Sequence, residues 1–232
     1  MFSFLPLVGH KILEPASSFD SEATYYLGIN EGRMEEYKRH FSETLRRDPK
    51  ARLKFEQEAK EYLEKQNKEH SEELRGIIEQ LGEMDSNCKL SICIPVAGHQ
   101  EGQHIYKALG GYSRQTAKKS DYEIVLFINH PDNKKPDNTI EEIERFRLDH
   151  PEINVRVAYQ TFPADKVKMG HIRKLLDDAV IQRSLDSGKR DKEIILVSND
   201  ADNSGVAPRY VENFINQFEK NLDMDVMAGL MD

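Results

Sequence analysis

Apolar residues in the first third of the chain recur every three or four positions. Met34, Tyr37, Phe41 and Leu45 form one such set, Phe55, Ala59, Tyr62 and Leu63 a second, and Leu74, Ile77, Ile78 and Leu81 a third. Each set draws one stripe on a surface of 3.6-residue period, so the pattern predicts two or three amphipathic helices before residue 86. Asp48-Pro49 punctuates the run. Asp caps a helix start and Pro fits its first turn, so one helix should end and another begin there. The stripes are expected to pack on one another or on the following domain. A partner-binding or self-associating coiled coil is the sharper alternative, but no heptad is sustained.

From Lys89 the texture changes. The β-rich runs "KLSICIPV", "YEIVLFIN", "NVRVAY" and "KEIILVSN" are separated by helical patterns over 101–118, 139–149 and 170–186. Strands that alternate with helices need crossover connections. The expected fold is therefore α/β, a Rossmann-like, mainly parallel sheet flanked by helices and preceded by an α-helical N-terminal region. "PRYVENFINQFEKNL" at 208–222 reads as a further helix and "MDVMAGLM" at 224–231 as a fifth strand. The expected division is 1–86, helical, and 89–232, α/β. In such sheets ligands sit beyond the carboxyl ends of the strands.

"NDADN" stands at such an end, and it places Asp200 and Asp202 two residues apart. In an extended segment residues i and i+2 point to the same side, so both carboxylates can converge on one point. Like charges held close raise one another's pKa unless a cation intervenes. Mg²⁺ or Mn²⁺, which takes one or two carboxylates and completes its shell with phosphate oxygens and water, suits this layout. The competing reading is a polar loop whose Asp and Asn side chains make turns and cap the helix near Pro208. An EF-hand fails, because the twelfth loop position is Val211, Glu212 comes one residue late, and a strand precedes the loop where a helix is required.

Composition narrows the field further. The chain of 232 residues is 38% hydrophobic and 32% charged, with net charge −8. That balance fits a polar-surfaced protein and argues against nonspecific binding to nucleic acid or anionic membranes. No stretch approaches eighteen consecutive apolar residues, so no membrane-spanning helix is expected. "MFSFLPLVGHKIL" lacks a basic start, so the expected location is the cytoplasm. Cys88 and Cys93 have no second cysteine pair and no histidine cluster beside them, so neither zinc nor a disulfide framework is indicated. His99, His104 and His171 follow no spacing rule, and none is assigned to catalysis.

Residues 89–232 resemble, in the order of their pieces, the nucleotide-sugar half of a family 2 glycosyltransferase with the GT-A fold. "LSICIPVAGHQEGQHIYKALGGYSRQT" looks like that family's first strand, with a helix closing at Gln115-Thr116; "DYEIVLFINH" looks like its second strand. "KMGHIRKLLDDAV" resembles the Gly- and Arg-containing helix start near the nucleotide, and "NDADNSGVAPRYVENF" the metal motif followed by Pro and a helix. The resemblance implies that Pro95, Val96, Ala97, Asn129, Arg173 and Asp200 contact a nucleotide sugar. It also implies that Asp202, with Asp200, holds Mn²⁺ or Mg²⁺. A UDP-sugar donor, an unidentified hydroxyl acceptor and an inverting hexosyl transfer are likewise what the family implies. The sequence departs from it in having Pro95-Val96-Ala97-Gly98 for Pro-x-Tyr-Asn, Asn129 for an acidic residue, and Arg173 closer to Gly170.

The family's general base and acceptor elements lie further along than the sequence runs. The expectation is a fragment, or a donor-binding part without its own base. A noncatalytic nucleotide-sugar module that recruits a partner through its N-terminal helices is the alternative. A nucleotidyltransferase ranks third, because "VAGHQEGQH" has glycines but no lysine or arginine to hold a triphosphate.

Overall fold

In the computed structural model, residues 49–188 and 194–221 are described. The stripe Met34 to Leu45 and the proposed strand at 224–231 lie outside them. The chain divides into two compact units, Arg52–Asn216 and one made of Met1–Ala51 with Gln217–Asp232; the first contains the sheet. Its elements run α1 (Pro49–Glu64), α2 (Lys68–Leu81), β1 (Leu90–Ala97), α3 (Ile105–Ser113), β2 (Tyr122–Pro131), α4 (Thr139–Asp149), β3 (Val155–Phe162), α5 (Met169–Asp186), β4 (Ile195–Ser198) and α6 (Tyr210–Lys220). Among the described residues no helix is long and apolar enough to cross a membrane.

All strand pairings are parallel, in the order β3-β2-β1-β4. The fold is therefore the expected α/β, Rossmann-like arrangement. β1 and β2 are buried along almost their whole length, which is why their sequences read as unbroken apolar runs rather than as alternation. β3, an edge strand, is buried at Val155, Ala158 and Phe162 and partly or fully exposed between them. The chain steps outward from β1 to β3 and then returns to lay β4 against the other side of β1. That reversal makes the exits of β1 and β4 the place where such sheets bind ligands.

Alternation sorts the sheet's side chains onto two faces. Cys93, Val125, Phe127, Ala158 and Phe162 share one cluster with Leu63 of α1, Leu74, Ile77 and Leu81 of α2, and Ile172, Leu175, Leu176 and Ala179 of α5. The helical stripes before residue 86 thus belong in part to the core of the sheet. The opposite set, including Ile92, Ile94, Ile124 and Leu126, is equally buried, on the side where Tyr122 Oη donates to Tyr112 O of α3 at 2.8 Å. α2 is closed at both ends by local chemistry. Asn67 accepts from His70 N at 2.9 Å at its start, and Gly82, at φ +68°, donates its N–H to Ile78 O at its end. A positive φ of that size is the conformation glycine adopts without strain.

β2 carries one carboxylate into the core. Glu123 is fully buried, and Arg183 of α5 meets it with two bonds, at 2.8 and 3.1 Å. Ser91 Oγ of β1 donates to Glu123 at 2.7 Å, and the Arg183 guanidinium also donates to Gly82 O at 2.7 Å and Glu83 O at 3.3 Å. Removing one partner of such a pair leaves a buried charge unanswered. Arg183→Leu is expected to lower the unfolding free energy by ~3–5 kcal/mol, and the double change Glu123→Leu/Arg183→Leu to recover much of it. Urea denaturation followed by circular dichroism measures both.

Candidate functional site at the strand tips

β4 ends at Ser198, and the chain leaves the sheet beside β1, with Asn199 N donating to Cys93 O at 3.0 Å. Asn199 is held on both sides: its amide donates to Tyr112 Oη at 2.7 Å, and its carbonyl accepts from Tyr210 Oη at 3.1 Å. Burial raises the pKa of the Tyr112 hydroxyl, partly opposed by the Asn199 bond. Beyond Asn199 the chain turns. Ala201 faces inward, 5% exposed, while Asp200 and Asp202 on either side of it are exposed. Both carboxylates are thus exposed, on a turn rather than on an extended segment.

The far side of this loop is fixed by the Gln115-Thr116 pair that closes α3. Gln115 donates to Ala207 O at 2.8 Å and accepts from Val211 N at 3.0 Å; Thr116 N donates to Pro208 O at 2.8 Å, and its hydroxyl to Glu212 at 2.8 Å. The first N–H groups of α6 are met by Ala207 O and Gln115 Oε1. A capping duty for the aspartates is thus not needed. Asn203 makes the local turn, accepting from Gly205 N at 3.2 Å.

Arg173, in the second turn of α5, donates one guanidinium nitrogen to Asp200 and the other to Ser198 Oγ at 2.5 Å. Its ion pair is with Asp200, not with Asp177 four residues along its own helix. Asp202 forms no ion pair among the described residues. On the β1 side, Pro95 and Val96 are buried in the strand and Ala97 is half-buried at its exit. Gly98 follows with no room for a side chain, since a Cβ there would stand 2.8 Å from Ile128 Cγ2. That contact gives glycine at 98 a steric reason. Asn129 is 3% exposed; its amide donates to Val96 O at 2.8 Å and its backbone carbonyl accepts from Gly98 N at 2.9 Å. Of the residues singled out in the sequence, Asp200, Asp202 and Arg173 reach the strand tips with accessible side chains, and Asn129 joins β2 to the end of β1.

Two further carboxylates, missed in the sequence, stand at the same tips. Glu101 follows β1 and has its pKa raised, first by burial and then by the charge of Asp202; Asp137 and Asp200 add to the effect and His104 opposes it. Asp137 precedes α4. Burial pushes its carboxyl up, but bonds from Thr139 Oγ1, Gly102 N and Thr139 N outweigh that and hold it below its ordinary value. Both lie just after strands, where the strand-end rule would have pointed to them.

Among the described residues no group of three or more His, Cys, Asp or Glu side chains is arranged to enclose a metal. The donor set is one unpaired carboxylate, Asp202, and one shared with Arg173, Asp200. This fits Mg²⁺ or Mn²⁺, which needs only one or two carboxylates and takes its other ligands from phosphate and water. It would not fit zinc, which needs three or four protein ligands.

No family model matches the chain, and no curated protein matches it. Among solved structures it is similar to residues 1–349 of S. aureus TarS in complex with UDP, at 16% identity and a TM-score of 0.38, over 57% of this chain and 32% of that one. It is also similar to the mannosyltransferase PcManGT from Pyrobaculum calidifontis in complex with GDP-Man and Mn²⁺, at 16% identity and a TM-score of 0.34, over 66% of this chain and 35% of that one. The chain spans about a third of the length of these structures. Likeness at this level assigns no residue a role.

Behind Arg173, Asp177 points toward Cys93, and burial raises its carboxyl to about 6, with the charge of Asp178 adding and Cys93 and Arg173 opposing. A carboxyl raised in the folded state binds its proton more tightly there than when unfolded. Its contribution is complete below the unfolded value and is lost as pH rises through about 6. Asp177→Asn is therefore expected to be more stable than the unmodified chain at pH 7, with the difference closing toward pH 4, roughly the ordinary value of an aspartate. Thermal melts across that range test the sign.

Proposed function

We propose that this chain forms the donor-binding part of a glycosyltransferase, which moves a sugar from a nucleotide diphosphate sugar to a hydroxyl acceptor with Mn²⁺ or Mg²⁺ bound. The observation that carries the reading is the pair of exposed aspartates at the exit of β4 beside β1, where this sheet order places ligands. The order of motifs resembling family 2 supplies the reaction class.

Asp202 would hold the cation, with Asp200 beside it or at the ribose. The cation's contribution when bound is to neutralise charge on the departing diphosphate. Arg173 orients Asp200 and keeps a second positive charge at the tips. Pro95, Val96 and Ala97 form the floor at the end of β1. Asn129 acts on that floor through Val96 O and Gly98 N rather than by reading a base with its own amide. Glu101 and Asp137 deepen the negative field that draws a cation in. A UDP-sugar, an inverting course and a hexosyl group are the finer parts of the proposal, and they rest on the resemblance.

Calorimetric titration of UDP and of GDP, with and without Mn²⁺, tests it. At least one should bind only with the metal, and Asp202→Ala should weaken that binding by at least about tenfold, given what loss of even an outer metal contact costs. Binding of neither nucleotide, or binding indifferent to Asp202→Ala, ends the reading. Slow hydrolysis of UDP-glucose or GDP-mannose, assayed alongside, separates an enzyme from a passive binding module.

A further inference from the structure

A second cleft lies between the starts of α2 and α5, apart from the acidic pair. We propose that it binds a neutral saccharide. It measures about 450 Å³, and all ten residues lining it are polar, within the range of ~300–1,000 Å³ usual for small-ligand pockets.

The floor is already rigid. Asp178, 3% exposed on α5, accepts from His70 Nε2 at 2.8 Å, from Lys174 Nζ at 2.6 Å and from Tyr62 Oη at 3.2 Å. Lys174 gives its other hydrogens to Tyr62 Oη at 2.6 Å and Gln66 Oε1 at 3.0 Å. Three elements, α1, α2 and α5, are locked together by groups that leave no donor on Lys174 free. A site preorganised in this way spends little ordering free energy on a ligand.

The rim decides the ligand's chemistry. Three lysines face three carboxylates across the lining, so its formal charge cancels with the histidines neutral. Lys166 is paired with Glu69, and His171 Nε2 stands 3.2 Å from Glu73 Oε2. The lining carries no net charge to draw an ion of either sign, and an anion taken up by Lys166 would have to displace Glu69. An apolar ligand would strip water from polar groups and give nothing back. A hydroxyl both donates and accepts, so a polyhydroxylated neutral molecule can join these pairs without breaking them. Glu73 Oε2 is buried and makes no hydrogen bond of its own. It is an acceptor with capacity left over.

The cleft shares one helix turn with the strand-tip site, since Arg173 reaches Asp200 while the next residue, Lys174, forms the cleft floor. Saccharide binding here does not depend on the nucleotide reading, and the two fail separately.

Saturation-transfer NMR on the full chain with cellotriose, maltotriose, mannotriose and triacetylchitotriose tests it, alongside two charged probes, deacetylated chitotriose and trigalacturonate. At least one neutral trisaccharide is expected to bind, and better than either charged probe. Glu73→Ala and His171→Ala, each shown folded by circular dichroism, should weaken it by about tenfold or more, the loss expected for one charge-assisted hydrogen bond. Binding should persist in Asp202→Ala. The proposal is overturned if no neutral probe binds, if a charged probe binds better, or if binding is lost in Asp202→Ala but survives both cleft variants.

Discussion

Glu123 sits at zero exposure in β2, an inner strand of the sheet, and a guanidinium delivered by α5 makes that tolerable. The pair does more than neutralise itself. Arg183 also collects the carbonyls that end α2, and Ser91 of β1 completes the carboxylate's shell, so one ion pair joins two strands and two helices. Arg156 Nε of β3 stands 4.0 Å away and adds the third strand. Buried pairs of this kind return little net stability because both ions must leave water. Here the pair fixes which residue of α5 lies over which strand. Everything at the start of α5, including Arg173, Lys174 and Asp178, takes its position from that registration.

The strand tips show how a sheet of ordinary apolar strands presents a dense set of charges. Asn199, held by two tyrosines, fixes where the loop leaves β4, and Gln115 with Thr116 fixes where it returns. Only the short segment between them faces outward. The carboxylates it carries are thus presented by a framework made largely of neutral hydrogen bonds, which leaves the local charge balance mainly to Arg173 and to any cation bound there.

Much of this was legible in the chain. The four apolar runs became the four strands, β1 and β2 most plainly because continuous burial leaves a continuous signature, and the helical stripes at 55–63 and 74–81 supplied Leu63, Leu74, Ile77 and Leu81 to the core. The helix read over 101–118 is shorter, Ile105–Ser113. Its first residues are needed for the turn after Gly98, and its last become the Gln115-Thr116 clamp. What the sequence hid were pairings across long separations. Glu123 looked like one polar residue in an apolar run until Arg183, sixty positions on, met it. Tyr62 sat in a helical stripe and His70 among charged residues, and neither revealed a common partner in Asp178 more than a hundred positions away. Asn129 stood where a ligand contact was expected, and its amide straps β2 to the end of β1, a bond the sequence did not reveal.

The adjacency of Arg173 and Lys174 has an evolutionary corollary. Because Arg183 pins α5 to Glu123, each residue inserted in the helix between Lys174 and Arg183 would swing the side chains before it by about 100° around the axis, so one insertion there would misdirect both cations at once. Tuning either neighbourhood must therefore proceed by replacing side chains, while the length of that stretch of α5 stays fixed.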